Sequence, residues 1–313
     1  MDTLFKKRLL FWISPRHVVR RSLLPGFAVV LVMLAPGCQE PVGSVEEHLS
    51  RGEEALSVYD FKSAYKDFAA AYPQISESDP VWPRATYVLG LAAWNMTPPT
   101  DAFQQEAIGH FERLIKKVDA PGMVHRSLLN LARIHEVRDF PGDAVDVGKA
   151  REYYRRVIEG DGGADLTARA VARMAQTYVD EITTEGIKKA VDLLEEFLSE
   201  ASPDSFTVPL WQYLGELYGF ELDNPGAALR SFLHAEAIGF ANESKADLYL
   251  WRMAQWADAA GDVDSSIRLY QKIVRDEPRS NYRSTSRHRL VALAERFPER
   301  EITIPDLSPY GSF

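Results

Sequence analysis

Seven histidines stand at positions 17, 48, 110, 125, 135, 234 and 288, and none forms an H-E-x-x-H pair or a His/Cys cluster at metal-ligand spacing. Cys38 is the single cysteine, so neither an intrachain disulfide nor a paired-thiol site is available. No G-x-G-x-x-G or G-x-x-x-x-G-K-[ST] phosphate loop and no G-x-S-x-G nucleophile elbow occurs. The run Gly160-Asp-Gly-Gly163 lacks the preceding strand that a phosphate cradle needs and reads as a turn. Acids such as Glu152 and Glu195-Glu196 are plentiful, but acid–base work by two carboxylates requires them to converge in a dry cleft. On helices such acids form solvated faces. The sequence therefore points to no catalytic residue, no metal and no cofactor.

What would position any site is an array of helices. In the stretch WQYLGELYGF, Trp211, Leu214, Gly215 and Tyr218 fall at i, i+3, i+4 and i+7, one stripe of a helix. Gly215 costs a helix interior about 1 kcal/mol relative to alanine, which is compensated where a second helix comes close. After the breaker at Asn224 to Gly226 follows Ala228-x3-Phe232-x2-Ala235, a small-large-small face, so the two segments form a helical hairpin. The same order recurs around Gly52, Gly90, Ala132, Ala175 and Ala254, and consecutive markers lie 38, 42, 43, 40 and 39 residues apart.

These residues resemble the tetratricopeptide repeat, W-x2-L-G-x2-Y, then A-x3-F, then P. The resemblance runs from about Glu46 to Pro278 in six degenerate copies. It implies an all-α fold, a right-handed α-solenoid of six hairpins over 46–297. Residues Tyr282 to Arg296 cap its end, and 298–313 follow as an extended tail. His135 then occupies an aromatic packing slot. Such solenoids hold partner proteins, and in the family the first helix of each hairpin lines the concave face. The family's ligand-facing positions fall here on Arg84, Tyr87, Trp94 and Asn95 in the second hairpin, on Arg126 and Arg133 in the third, and on Arg169 in the fourth. Four arginines beside an aromatic anchor suit an acidic segment or a C-terminal carboxylate of a partner protein. No small-molecule substrate is implied.

The N-terminal 37 residues read differently. Six basic side chains precede the nine apolar residues Phe27 to Ala35, and Leu34-Ala-Pro-Gly-Cys38 resembles a bacterial lipobox. A run of nine is far short of a membrane span. The resemblance implies a signal peptide at 1–37, a lipid on Cys38, a tether at 38–45, and an exported lipoprotein facing the periplasm. Gln39, where inner-membrane retention often uses aspartate, favours the outer membrane. Loss of residues 1–37 removes six bases and Asp2, a net +5, and takes the formal charge from −9 to −14. So acidic a body does not bind nucleic acid by counterion release, and the lipid is its means of membrane attachment. Barrel-assembly and pilus-assembly lipoproteins share this architecture. A regulatory subunit of a cell-wall enzyme is the alternative of a different class.

Overall fold

The computed structural model describes residues 43–307. Over these residues the fold is all-α: thirteen α-helices, no strand, and extended chain after Arg300. The signal peptide, Cys38 and most of the tether lie outside the described residues. The helices pair in order as α1 (Val45–Ser57) with α2 (Phe61–Ala71), α3 (Trp82–Trp94) with α4 (Asp101–Lys117), and α5 (Pro121–Glu136) with α6 (Val147–Ile158). Next come α7 (Ala164–Val179) with α8 (Thr184–Glu200), α9 (Val208–Glu216) with α10 (Pro225–Ile238), and α11 (Ala246–Ala260) with α12 (Val263–Asp276). Helix α13 (Arg283–Arg296) packs on α12 and closes a solenoid of six hairpins. None of these helices is long and apolar enough to cross a membrane.

The second helix of every hairpin begins on a polar cap. Asp60, Thr100, Asp146, Thr183, Asn224 and Asp262 each accept a hydrogen bond from a backbone N–H in the first turn of α2, α4, α6, α8, α10 and α12. Among the first helices of the hairpins, only α1 has such a cap, with Ser44 and Glu47 in a capping box. Helices α3, α5 and α9 instead carry proline in their first turn, where its missing N–H is not needed. The turn within a hairpin is therefore fixed by side chains, and in four of the six the residue before the cap is left-handed: Tyr59, Ile182, Asp223 and Gly261.

Small-against-large pairing sets how closely the two helices approach. A Cβ on Gly52 would fall 2.5 Å from the Phe68 ring, and one on Gly215 would fall 2.4 Å from that of Phe232. Around these contacts Phe68, Phe111, Leu131, Tyr154, Leu194, Phe232 and Tyr270 are sealed from solvent. In WQYLGELYGF Leu214 is buried, Trp211 stacks on His234 with ring centroids 4.2 Å apart, and the Tyr218 hydroxyl donates to Glu195 at 2.5 Å. That stripe is packing.

Beyond α13 the chain turns at Pro298–Arg300 and runs extended along α12. Ile302, Ile304 and Leu307 pack on the core that α12 and α13 share. Gln271 donates to the Thr303 carbonyl at 2.7 Å, and Arg300 pairs with Asp264. The Arg283 guanidinium donates to the carbonyls of Val274, Leu307 and Asp306 at 2.8, 2.7 and 3.2 Å, which ties the tail to the end of α12.

Candidate functional site: an arginine cleft on the first-helix face

A cleft of about 680 Å³ opens between α3, α5 and α7. Helix spacing brings its residues together. Arg126, Asn130 and Arg133 stand at i, i+4 and i+7 on α5, and Asp165, Arg169 and Arg173 at i, i+4 and i+8 on α7. Tyr87 enters from α3, where Asn130 donates to its hydroxyl at 3.3 Å. Leu129, Leu166 and Ala172 supply apolar surface beside them.

Two of the four guanidinium groups are answered within the cleft. Arg133 pairs with Glu136 at 2.9 Å, one turn on, and Arg169 with Asp165 at 2.9 Å. Glu136 also accepts from the hydroxyl of Tyr154, a side chain sealed in the core. Burial, and then Glu136 itself, push that phenol far above its ordinary range, so Tyr154 remains a hydroxyl donor to Glu136. Arg126 and Arg173 are exposed and pair with no carboxylate among the described residues. Free guanidinium groups on adjacent helices, with a phenol nearby, can hold a carboxylate bidentately.

The structure thus gathers Tyr87, Arg126, Arg133 and Arg169 of the seven residues expected from the sequence, and adds Asn130 and Arg173. Both additions stand two residues before their hairpin's small marker, Ala132 or Ala175, and i+4 from an arginine already singled out. That spacing was the available signal. The other three lie elsewhere. Arg84 pairs with Glu53 of α1 at 2.8 Å on the exposed surface. The Trp94 indole donates to Asp139 at 2.8 Å and, together with Gln104 donating to Asp143 at 3.0 Å, bolts the long turn of the third hairpin to the second. Asn95 caps the end of α3 by donating to the Leu91 carbonyl at 2.8 Å.

His48, His125 and His135 take local structural places. His48 bonds Asp67 at 2.8 Å, and His135 stacks on Tyr153, in the aromatic slot that its position implied. His125 lies in the turn of Gly160 to Gly163, where a Cβ on Gly160 or Gly162 would come within 2.0 or 2.3 Å of its ring. The glycines of that turn make room for an imidazole. Among the described residues no three His, Cys, Asp or Glu side chains gather to hold a metal ion.

Compared with known proteins, residues 249–280 match the tetratricopeptide repeat family. This is the last hairpin, α11 with α12, where the small and large markers keep the repeat's spacing without insertion. No curated protein matches the chain. Among solved structures, the crystal structure of the P58(IPK) TPR domain aligns at 15% identity and a TM-score of 0.30, over 82% of this chain and 68% of that one.

Proposed function

We propose that this chain is a non-catalytic scaffold that holds a segment of a partner protein in the arginine cleft. The observation that carries the reading is the charge balance there: four arginines converge in an acidic protein, and among the described residues only Glu136 and Asp165 answer them. The complementary ligand is an acidic stretch or a C-terminal carboxylate, with Tyr87 and Leu129 as apolar footing for the residue beside it. Helices pinned by core packing on both sides offer such a segment a preformed surface, which lowers the ordering cost of binding. The lipobox-like Leu34 to Cys38 supports a bacterial envelope location with a lipid on Cys38, and Gln39 favours the outer membrane. On this reading the partner is another envelope protein, of the kind served by barrel-assembly or pilus-assembly lipoproteins.

The test is crosslinking in cells of the tagged chain, with mass spectrometry of the captured proteins and an Arg126→Ala/Arg173→Ala variant in parallel. Capture of an envelope assembly component that the variant loses is the expected result. Capture that is indifferent to the two arginines removes the cleft from the function. Metabolic labelling with a clickable fatty acid, compared with Cys38→Ser, tests the anchor separately.

A further inference from the structure

A second recess lies on the other side of the fourth hairpin. It sits between α6 and α8, the second helices of successive hairpins, over the C-terminal part of α7, and encloses about 600 Å³. Its floor is apolar, made by Ile158, Met174, Tyr178, Leu193 and Phe197. Its rim carries Glu159, Asp192, Glu196 and Glu200 against Arg155 and Lys189. None of those four carboxylates has an ion-pair partner among the described residues, and Lys189 is drawn toward Glu185 at 3.8 Å.

One feature sets this trough apart from its equivalents. Phe197 holds the third position of its hairpin's small-large-small face. The residues in that position elsewhere, Ala71, Leu114, Val157, Ala235 and Ile273, are all 0% exposed, whereas Phe197 is only partly buried. Side-chain bridges close two of the other four pairs of successive second helices. Tyr65 of α2 donates to Glu106 of α4 at 2.8 Å and meets the Phe103 ring edge-on, while Glu236 of α10 takes Arg268 and Lys272 of α12. Among the described residues no hydrogen bond, ion pair or ring contact joins α6 to α8, and none joins α4 to α6 or α8 to α10, so what separates this trough from those is the exposed Phe197. Where the array ends, the corresponding surface of α12 is covered by the chain's own tail, which seats Ile302, Ile304 and Leu307 and sets Arg300 on Asp264. Apolar side chains inside and a basic group on a rim acid is therefore a pairing this molecule already uses.

We propose that the α6–α8 trough docks a helix of a partner protein whose apolar stripe is flanked by lysine or arginine. The stretch of α8 from Lys189 to its end is about 18 Å long at 1.5 Å per residue, room for roughly three turns of an incoming helix. A helix laid in such a groove is read through apolar anchors at i, i+3, i+4 and i+7, and the unpaired acids select the charge of its flanks. This surface is separate from the arginine cleft, and either can fail without the other.

The test is fluorescence anisotropy of the purified full chain with a labelled leucine/lysine amphipathic peptide of about four turns, beside a leucine/glutamate peptide of the same length, at physiological salt. Saturable binding of the lysine peptide alone is expected. It should weaken at least tenfold both in Phe197→Ser and in Glu196→Lys/Glu200→Lys, and stay unchanged in Arg126→Ala/Arg173→Ala. Glu196 and Glu200 are exposed and lie outside the core, so the charge-reversal pair serves even if Phe197→Ser folds poorly. Absence of saturable binding overturns the proposal. So does a dissociation constant that the charge reversal leaves unchanged, because the peptide would then be responding to the general acidity of the chain.

Discussion

The third and fourth hairpins present opposite chemistry on their two sides. Toward the first helices lies a cleft with four arginines beside Tyr87, Leu129 and Leu166; toward the second helices lies a trough with an apolar floor and, on its rim, four acids without an ion-pair partner among the described residues. Both draw on α7, so the contrast arises within a single helix: Arg169 and Arg173 point one way, Met174 and Tyr178 the other. The packing register occupies only part of each helix, as Ala175 and Leu194 do in this hairpin, and leaves the remaining faces free to differ. Such an array can carry two recognition surfaces on one hairpin without compromising the core that holds it.

The contrast is most strongly broken by Leu194→Ala. This side chain is fully buried in the cluster that joins α7 to α8, and its loss should cost about 2–5 kcal/mol. Urea unfolding followed by circular dichroism should show that loss, and ligands of both surfaces should weaken together. Arg126→Ala/Arg173→Ala should separate them. Carboxylate-ligand affinity should fall at least tenfold, about 1.4 kcal/mol, while the unfolding midpoint stays in place because neither arginine pairs within the fold. Titration calorimetry with an acidic C-terminal peptide, set beside a thermal melt, measures both.

Glu236→Gln sharpens the contrast from a third place, the closed trough between α10 and α12. Burial raises the Glu236 carboxyl, but the hydrogen bonds from Arg268 and Lys272 outweigh it and hold the group below the ordinary glutamate range. Its contribution is therefore complete above the unfolded-state pKa of about 4.3 and disappears as pH falls through the lower folded value. The substitution should cost about 1 kcal/mol near neutrality and flatten the acid limb of a stability profile measured from pH 7 downward. The smallest effect is expected of Ile182→Gly. Ile182 is 90% exposed with φ at +52°, and relieving a β-branched residue of left-handed geometry should stabilise by about 0.5–1 kcal/mol. Neither surface should respond to that change in binding assays, so it serves as their control.

Much of this was legible before the structure. The small and large markers gave the register: Gly52 against Phe68 and Gly215 against Phe232 are the contacts their spacing foretold. The ligand-facing positions that the repeat resemblance implied, Arg126 and Arg133, form one wall of the cleft. Arg84 and Trp94 went elsewhere because their partners, Glu53 and Asp139, lie 31 and 45 residues away and no local pattern announces them. Asn95 was readable as a helix cap, since asparagine at the end of an apolar periodic run commonly closes it. The α6–α8 trough was hidden because Phe197 has the right type in the right register for packing. Only its exposure, set by how α6 stands relative to α8, distinguishes it from Leu114 or Ile273.

The extended tail over α12 and α13 settles a question of number. A stack of like hairpins has no inherent stopping point, for the surface that receives each new unit is the surface that the last one leaves open. Here that surface is occupied by seven residues of extended chain whose carbonyls are held by Gln271 and Arg283 in place of a helical ladder. A strip this thin does not reproduce the helical face it covers, so the register that each hairpin hands to the next is not handed on through the tail.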